Sequence, residues 1–422
     1  MLSTVAPVAA LLVSTFLLLS AGGLAGYLLP LRAVGEGWPT LAISLIATGY
    51  AIAFTLSCIV TPRLVRRVGH VRVFGVLTAL MAMSLLLHVL VVHPVAWVFI
   101  RAVAGFSVAG CYMVIESWIN EKVTNENRGA LFSIYMVISM AALTVGQYIV
   151  PLGDPATATL FMVCAVIYCL AVVPTALSTA SSPAPLTQVN FDVPSLFRRS
   201  PAAVVGTLIA GLIAGVWNGL AAVYASKTGL STAEGASMLA MAMIGGTVFQ
   251  YPLGRASDRT DRRRVMAFAG LVGAASCGIA FAFGVESRLV FFGAMFLLGT
   301  VLYPIYSLNV AHANDHAEPY EFVDVSSGLM VVYGVGTICG PVVAGEAMDA
   351  AGPGGFFAVI GLLFLCYTLY ATWRITRRVR PPKRTRAEFQ PTVPGAEATP
   401  QKAELDPRAD PDFAIETEAP RD

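Results

Sequence analysis

Long apolar runs follow one another along almost the whole chain and are separated by short polar breaks. Apolar runs of about 20 residues are long enough to cross a bilayer as helices. Read against glycine, proline and charged breaks, the pattern predicts twelve helices, near residues 5–29, 41–62, 73–92, 95–118, 130–151, 157–177, 202–224, 235–255, 265–284, 288–311, 323–348 and 355–376. It therefore predicts an all-α membrane protein with twelve transmembrane helices.

The predicted helices fall into two groups of six, divided by a polar stretch rich in Ser, Pro and Thr. This division predicts an N-terminal six-helix half at 1–177, a cytoplasmic linker at 178–200 and a C-terminal six-helix half at 201–377. Residues 378–422 are rich in Pro, Glu, Asp and Ala, a composition typical of a disordered tail.

The second half repeats the first at an offset of 192 residues. The basic segment 62–72 falls opposite 254–264, Val98-Phe99 falls opposite Val290-Phe291, and Gly37 falls opposite Gly229. Because each half has an even number of helices, the two repeats run parallel. Paired repeats that rock about a site between them are typical of secondary transporters. The repeat therefore favours transport by alternating access.

The composition narrows the class of protein further. Hydrophobic residues make up 56% of the 422 and charged residues 12%, with a mean hydropathy of +0.72, which excludes a water-soluble domain. The net charge of +2 is spread over loops, and the sequence has no HExxH, Walker lysine or Cys/His metal motif. We therefore predict no enzyme activity, cofactor, metal or nucleic-acid partner. The predicted partners are a small-molecule substrate and membrane lipid, and the predicted state is a monomer.

Lysine and arginine are distributed unequally between the two ends of the predicted helices. One end carries Arg63, Arg66, Arg67, Arg72, Lys122, Arg128, Arg198, Arg199, Arg255, Arg259, Arg262, Arg263, Arg264 and the basic residues from Arg374 onward. The other end carries Arg32, Lys227 and Arg288. The positive-inside rule predicts that the first end is cytoplasmic, together with both termini. The expected location is the bacterial inner membrane.

The two basic loops resemble a known motif. In the major facilitator superfamily the loop between helices two and three reads G-x-L-a-D-R-x-G-R-R. The second copy here keeps Gly254, Asp258, Arg259, Arg262 and Arg263, whereas the first has Pro62 for the glycine and Arg66 for the aspartate. On these residues the chain resembles that superfamily from residue 1 to about residue 380. Leu29-Pro30-Leu31, Glu116-Ser117-Trp118, Asn127-Arg128-Gly129, Gly146-Gln147, Leu302-Tyr303-Pro304 and Gly340-Pro341 make it similar to the branch of bacterial transporters typified by YcaD.

Arg101 lies inside the fourth apolar segment. Arg101 and Gly105 resemble the family's R-x-x-q-G motif, whose arginine is associated with proton coupling in relatives. An arginine within a membrane is costly and normally faces a cavity or a partner. The alternative is a side chain that extends to nearby headgroups.

Glu116 lies fifteen residues after Arg101 and about 60° from it around a helix at 100° per residue. This offset allows Arg101 and Glu116 to face one cavity, and Tyr112 lies on the same face of the helix. Glu116 is the second candidate for proton coupling. Its alternative role is a helix-end carboxylate that pairs with a loop arginine.

The resemblance implies that helices one, four, seven and ten line a central cavity. Polar and aromatic residues on the seventh and tenth predicted helices are therefore candidates for substrate contact. They are Trp217, Asn218, Tyr303, Tyr306 and Asn309. The alternative is that they lie at membrane interfaces and helix contacts, where Trp and Tyr are also frequent.

The loop motifs predict a latch between the halves on the cytoplasmic side. Asp258 is expected at the start of helix five, near Arg128 and Gly129, because a carboxylate is favourable at a helix N-terminus. Arg259 and Arg262 are further candidates for the latch. In the first loop the position equivalent to Asp258 is Arg66. Because the segment before helix eleven is acidic, we expect Arg66 or Arg67 to pair with Glu321 or Asp324.

Together these features predict a secondary active transporter of a small organic solute, coupled to protons. The alternatives are an uncoupled facilitator and a non-transporting receptor on the same fold. The G-x-x-x-G-P sequence at Gly336–Pro341, which antiporters usually carry in helix five, lies here in helix eleven and leaves the direction of transport open.

Overall fold

The computed structural model describes residues 8–122, 128–177, 193–317, 321–377 and 389. Its first half consists of six long helices. They are α1 (Ala9–Gly35), α2 (Thr40–Val68), α3 (His70–Leu90), α4 (Pro94–Lys122), α5 (Arg128–Ile149) and α6 (Thr159–Ala176). A 3₁₀ turn, Val150–Leu152, follows α5.

A short helix, α7 (Val193–Arg199), precedes the second half and lies within the predicted linker. The helices of the second half are α8 (Pro201–Lys227), α9 (Thr232–Arg259), α10 (Arg262–Phe283), α11 (Arg288–Leu302), α12 (Pro304–Asn314), α13 (Phe322–Ala351) and α14 (Gly355–Arg377). The rest of the linker and, apart from residue 389, the tail lie outside the described residues. The predicted domain limits therefore stay predictions.

The two halves are structural repeats. α1, α2 and α3 begin at Ala9, Thr40 and His70, and α8, α9 and α10 begin 192 residues later in each case. Even the turns match, since Gly37 and Gly229 have φ angles of 73° and 74°. Only glycine adopts that backbone conformation without strain. The predicted fold class, an all-α membrane protein of two parallel six-helix repeats, is confirmed.

Small residues allow the helices of each half to pack closely. A Cβ atom added to Gly23 of α1 would come within 2.2 Å of the Leu143 carbonyl oxygen in α5. In the second half, a Cβ on Gly299 of α11 would come within 1.8 Å of the Ala242 carbonyl oxygen in α9. In lipid, where association depends on close packing, glycine lets two backbones approach in this way.

Eleven described helical segments are long and apolar enough to cross a membrane, with α11 and α12 counted as one segment. α9 occupies the place of the remaining predicted helix but is less apolar. It is 28 residues long and includes Gln250 and Pro252. The tenth predicted helix is interrupted at Tyr303, because Pro304 starts a new helix and has no N–H to continue the old one.

The two ends of the bundle differ in charge. We call the end at which α2 finishes and α3 starts the arginine-rich face, since Arg63, Arg66, Arg67, Arg255 and Arg259 lie there. The end at which α1 finishes and α2 starts is called the opposite face.

Candidate substrate cavity between the two halves

A cavity of about 260 Å³ lies between the two halves of the molecule. Its walls come from α1, α2, α4 and α5 on one side and from α8, α9 and α13 on the other, with Tyr303 at the junction of α11 and α12. Both repeats therefore contribute to one site, as a transporter that works by relative movement of its halves requires.

Arg101 of α4 provides the charge in this cavity. It follows the start of α4 by seven residues, about 10 Å along a helix. Its guanidinium carbon lies 4.4 Å from the centre of the Tyr50 ring. Arg101 thus faces the interior of the protein over Tyr50, which argues against the alternative of a side chain extended to headgroups.

Among the residues that the structure describes, no carboxylate lies within 4.0 Å of the Arg101 guanidinium. The contact with Tyr50 compensates little, since cation–π contacts contribute about 0.5–2 kcal/mol. Moving an ion from water into a protein interior costs roughly several kcal/mol, even after the surrounding groups relax. The half-buried arginine is therefore available to an anionic or hydrogen-bond-accepting group that enters the cavity.

The described wall formed by the second half is uncharged and includes three aromatic side chains. Trp217 and Asn218 of α8, Tyr303, and Tyr333 of α13 line it. Trp217 and the two tyrosines are buried, whereas Asn218 is exposed towards the cavity. Such a wall suits the apolar body of an organic molecule and offers it one amide for hydrogen bonding.

Most of the residues predicted to contact substrate meet in this cavity. Arg101, Tyr112, Trp217, Asn218 and Tyr303 all line it. Tyr306 lies in a side pocket that it shares with Trp217 and Tyr303, and its ring packs against Tyr333 at 4.8 Å between centroids.

Asn309 lies away from the cavity. Its Oδ1 accepts a hydrogen bond of 2.9 Å from the Tyr367 hydroxyl of α14, and it packs against Gly206 of α8. Asn309 therefore contacts α8 and α14 within the second half.

Glu116 is also absent from the cavity wall. It is only 2% exposed and lies beside Cys58 of α2 and Tyr135 of α5. The described part of α4 lines the cavity through Trp97, Arg101, Val108 and Tyr112. The expectation that Arg101 and Glu116 face one cavity is therefore not met, because Glu116 is enclosed within the first half.

Sequence reasoning did not select two residues that shape the site, Tyr50 and Gln147. Gln147 of α5 is buried in the cavity wall, and its Oε1 has no hydrogen-bond partner among the described residues. A lone amide in an apolar helix was the available signal for Gln147. Nothing in the sequence singled out Tyr50, because its role depends on the position of Arg101.

At the opposite face, Asp349 near the end of α13 joins the two halves. Its carboxylate accepts hydrogen bonds from the backbone N–H groups of Thr40 (3.2 Å) and Leu41 (3.0 Å) and from the Thr40 hydroxyl. Lys227 of α8 lies 3.7 Å from the same carboxylate. A carboxylate is favourable at this position because it satisfies free amides at the N-terminus of α2.

Further contacts near the opposite face also cross between the halves. The Tyr27 hydroxyl of α1 donates a 2.7 Å hydrogen bond to the Thr232 carbonyl at the start of α9. The hydroxyls of Tyr148 and Ser237 lie 2.9 Å apart. No sequence motif predicts a latch at this end.

At the arginine-rich face, a buried ion-pair cluster lies within the second half. The Arg262 guanidinium contacts Asp258 at 2.8 Å and Asp315 at 2.7 Å. Asp258 also accepts hydrogen bonds of 3.1 and 3.3 Å from the backbone N–H of Phe389. Next to this cluster, burial raises the pKa of the Asp261 carboxyl, but hydrogen bonds from Arg263 outweigh it and lower the pKa overall.

The other residues predicted to form the latch lie in different environments. Glu321 forms an ion pair with Arg199 of α7 at 2.5 Å. Arg66, Arg67, Arg259 and Asp324 are exposed, and the side chain of Arg128 lies outside the described residues. The pairing of Arg66 or Arg67 with Glu321 or Asp324, and the contact of Asp258 with helix α5, stay predictions.

A family comparison identifies the class of protein. The family model of the Major Facilitator Superfamily matches residues 11–224 and 203–411. The chain belongs to this superfamily. The two matches together cover both halves, in agreement with the structural repeat.

Relatives and solved structures agree with this assignment. An uncharacterized MFS-type transporter of Enterobacter sp. (strain 638) is 25% identical over 369 residues, covering 86% of this chain and 94% of the relative. The uncharacterized MFS-type transporter YcaD of Escherichia fergusonii is 23% identical over 368 residues, with the same coverage. The predicted resemblance is thereby confirmed.

Two solved transporters share the fold. The nucleoside transporter NupG superposes with a TM-score of 0.73 at 14% identity, covering 87% of this chain and 98% of NupG. A bacterial homologue of the human lysosomal transporter Spinster, in an inward-facing and occupied conformation, gives 0.68 at 14% identity, covering 90% and 97%. The chain is therefore a multi-pass membrane protein with the fold of transporters.

Proposed function

We propose that this protein is a secondary active transporter that moves a small organic solute across the bacterial inner membrane by alternating access. The observation that carries the proposal is the cavity between the two repeats, with Arg101 on one wall and Trp217, Asn218 and Tyr303 on the other. A solute held by both halves can be exposed to either side when the halves rock.

The distribution of charge supports a cytoplasmic location for the arginine-rich face and for both termini. The opposite face is then periplasmic. On this assignment, the hydrogen bonds that Asp349 accepts from the backbone N–H groups at the start of α2 fasten the halves on the periplasmic side. Transport requires these bonds to break when the cavity opens outward.

Proton coupling is the second part of the proposal, with Glu116 as the proton carrier and Arg101 as the organiser of the polar groups in the cavity. A carboxylate enclosed like Glu116 costs less to bury when it carries a proton. Tyr112, four residues before Glu116 on the same helix, lines the cavity and would provide a hydroxyl for the proton on that side.

The test uses the full-length protein in proteoliposomes with an imposed pH gradient and an extract of cell metabolites, read by mass spectrometry against empty liposomes. We expect accumulation of at least one solute and exchange of that solute without the gradient. Exchange without gradient-driven accumulation would identify an uncoupled facilitator. If the protein shows neither accumulation nor exchange, the result would favour the receptor alternative.

Glu116→Gln should retain exchange and lose at least tenfold in gradient-driven accumulation, because the amide cannot carry the proton. Glu121→Gln is the matched control, since Glu121 is exposed on the same helix. Equal accumulation in both variants would remove Glu116 from the coupling mechanism.

Arg101→Ala should abolish gradient-driven transport while the protein still folds. Lysine should restore only part of the activity, because it lacks the planar fork of donors. Normal transport by Arg101→Ala would contradict a role for this residue.

A further inference from the structure

The charge balance of the cavity indicates the kind of solute that it holds. Arg101 is the one residue among Lys, Arg, Asp and Glu in the described part of the cavity wall. A buried charge without a partner is unfavourable, and proteins pair or neutralise such groups. Arg101 is half-buried and the described wall provides no acid, so a counter-charge that pairs with it directly comes from what enters the cavity.

The protein offers Arg101 only weak compensation. The ring of Tyr50 lies under the guanidinium at 4.4 Å, which is a cation–π contact and not an ion pair. A planar guanidinium left with free N–H groups matches the geometry of a carboxylate, which it binds through two parallel hydrogen bonds.

The remaining walls indicate the rest of the molecule. Trp217, Tyr303 and Tyr333 present aromatic surface from the second half, while Asn218 is exposed among them. Aromatic side chains bind flat rings by offset stacking or edge-to-face contact. In the described cavity wall, charge is thus confined to the first half, whereas both halves provide aromatic surface.

We propose that the cargo is an aromatic organic anion whose carboxylate binds Arg101 and whose ring lies against Trp217 and Tyr303. This assignment rests on the proposed transport function and specifies its substrate class. The unpartnered Oε1 of Gln147 accepts a hydrogen bond from a hydroxyl or N–H group of the cargo.

The proposal makes the charge of the ligand decisive, and this can be tested with pairs of ligands that have the same shape. The probes are benzoate, 1-naphthoate and indole-3-acetate, each compared with its neutral amide. Binding to the purified full-length protein in detergent is measured by isothermal titration calorimetry. We expect at least one acid to bind, and its amide to bind at least tenfold more weakly.

Variants of Arg101 link this preference to one side chain. Arg101→Gln should weaken binding of the acid to the level of the amide and leave the amide unchanged, and Arg101→Lys should have an intermediate affinity. Arg255→Gln is the matched control, because Arg255 is exposed at the arginine-rich face. Circular dichroism and size-exclusion profiles confirm that each variant is folded.

Three results would overturn the assignment. They are an amide that binds as tightly as its acid, an acid whose affinity does not change in Arg101→Gln, and a series in which none of the acids binds. Accumulation of a neutral metabolite in the proteoliposome assay would contradict the anionic cargo while leaving the transport function intact.

Discussion

The contacts at the two ends of the bundle differ in what they join and in how deeply they are buried. At the opposite face, Asp349 joins α13 of the second half to α2 of the first, and the side chains of Lys227 and Asp349 are 30% and 33% exposed. At the arginine-rich face, Arg262 joins Asp258 and Asp315 of the same half. The side chains of Arg262 and Asp315 are 1% and 3% exposed, whereas that of Asp258 is 34% exposed, so the deeply buried contact is the Arg262–Asp315 pair.

The proposed transport cycle accounts for this difference through what each contact would have to do. A contact between halves that must break in every cycle is easier to break when water can replace it, so partial exposure suits Asp349. A buried ion pair is costly to break because it leaves an unpaired charge, so the Arg262 cluster suits a part of the second half that moves as a rigid unit.

The largest expected effect comes from the buried cluster. Arg262→Met or Asp315→Leu alone should destabilise the protein by about 3–5 kcal/mol, because each leaves the other charge buried without that partner. The double variant should be more stable than either single variant. Thermal unfolding in detergent measures this effect, with Arg255→Met as an exposed control. A double variant with the summed loss of both singles would contradict the buried pair.

The next effect concerns the contact between the halves at the opposite face. Asp349→Ala removes the acceptor for two N-terminal amides of α2, which costs roughly 0.5–2 kcal/mol of the closed arrangement. Labelling of Asn218→Cys by an impermeant maleimide from the periplasm should therefore rise by roughly tenfold in a background without other cysteines. Arg32–Glu36 is a contact within one half, so Glu36→Gln is the control. Equal labelling in both variants would contradict a closing role for Asp349.

For Asp258, at the arginine-rich face, the expected change in labelling has the opposite sign. If Asp258 contacts the start of α5 in the outward-facing state, Asp258→Ala should lower the same labelling by a few-fold, since an exposed carboxylate at a helix N-terminus contributes about 0.3–1 kcal/mol. Phe389→Ala is the matched control for Asp258→Ala. It removes the aromatic ring that packs against Gly254 but retains the Asp258 carboxylate. Unchanged labelling in Asp258→Ala would count against the latch.

The smallest effect is expected for the exposed charges of the first loop. The double variant Arg66→Glu with Glu321→Arg should recover activity that each single change loses, although exposed pairs contribute only about 0–1 kcal/mol. Because Glu321 contacts Arg199 in this structure, Arg199→Ala should be measured in parallel. If the double variant is no better than the worse single variant, and the Arg67 and Asp324 combinations fail likewise, the inverted latch is wrong.

The sequence by itself determined the helices and the duplication. An apolar segment in a bilayer must satisfy its backbone hydrogen bonds internally, so each long run had to become a helix. The 192-residue offset then reproduced the starts of α1, α2 and α3 in the second half. The hydropathy pattern also identified Arg101, because a charged residue within an apolar segment is evident from the sequence alone.

Tertiary structure alone decided which side chains meet. The Asp349 carboxylate binds the backbone of Thr40, 309 residues away, and no local pattern connects the two. Likewise, the sequence placed Glu116 on the same helix face as Arg101, but the packing of α2 and α5 encloses it. The physical reason is that hydropathy fixes where a helix crosses the membrane, whereas its rotation and its neighbours depend on close packing, such as that of Gly23 against Leu143.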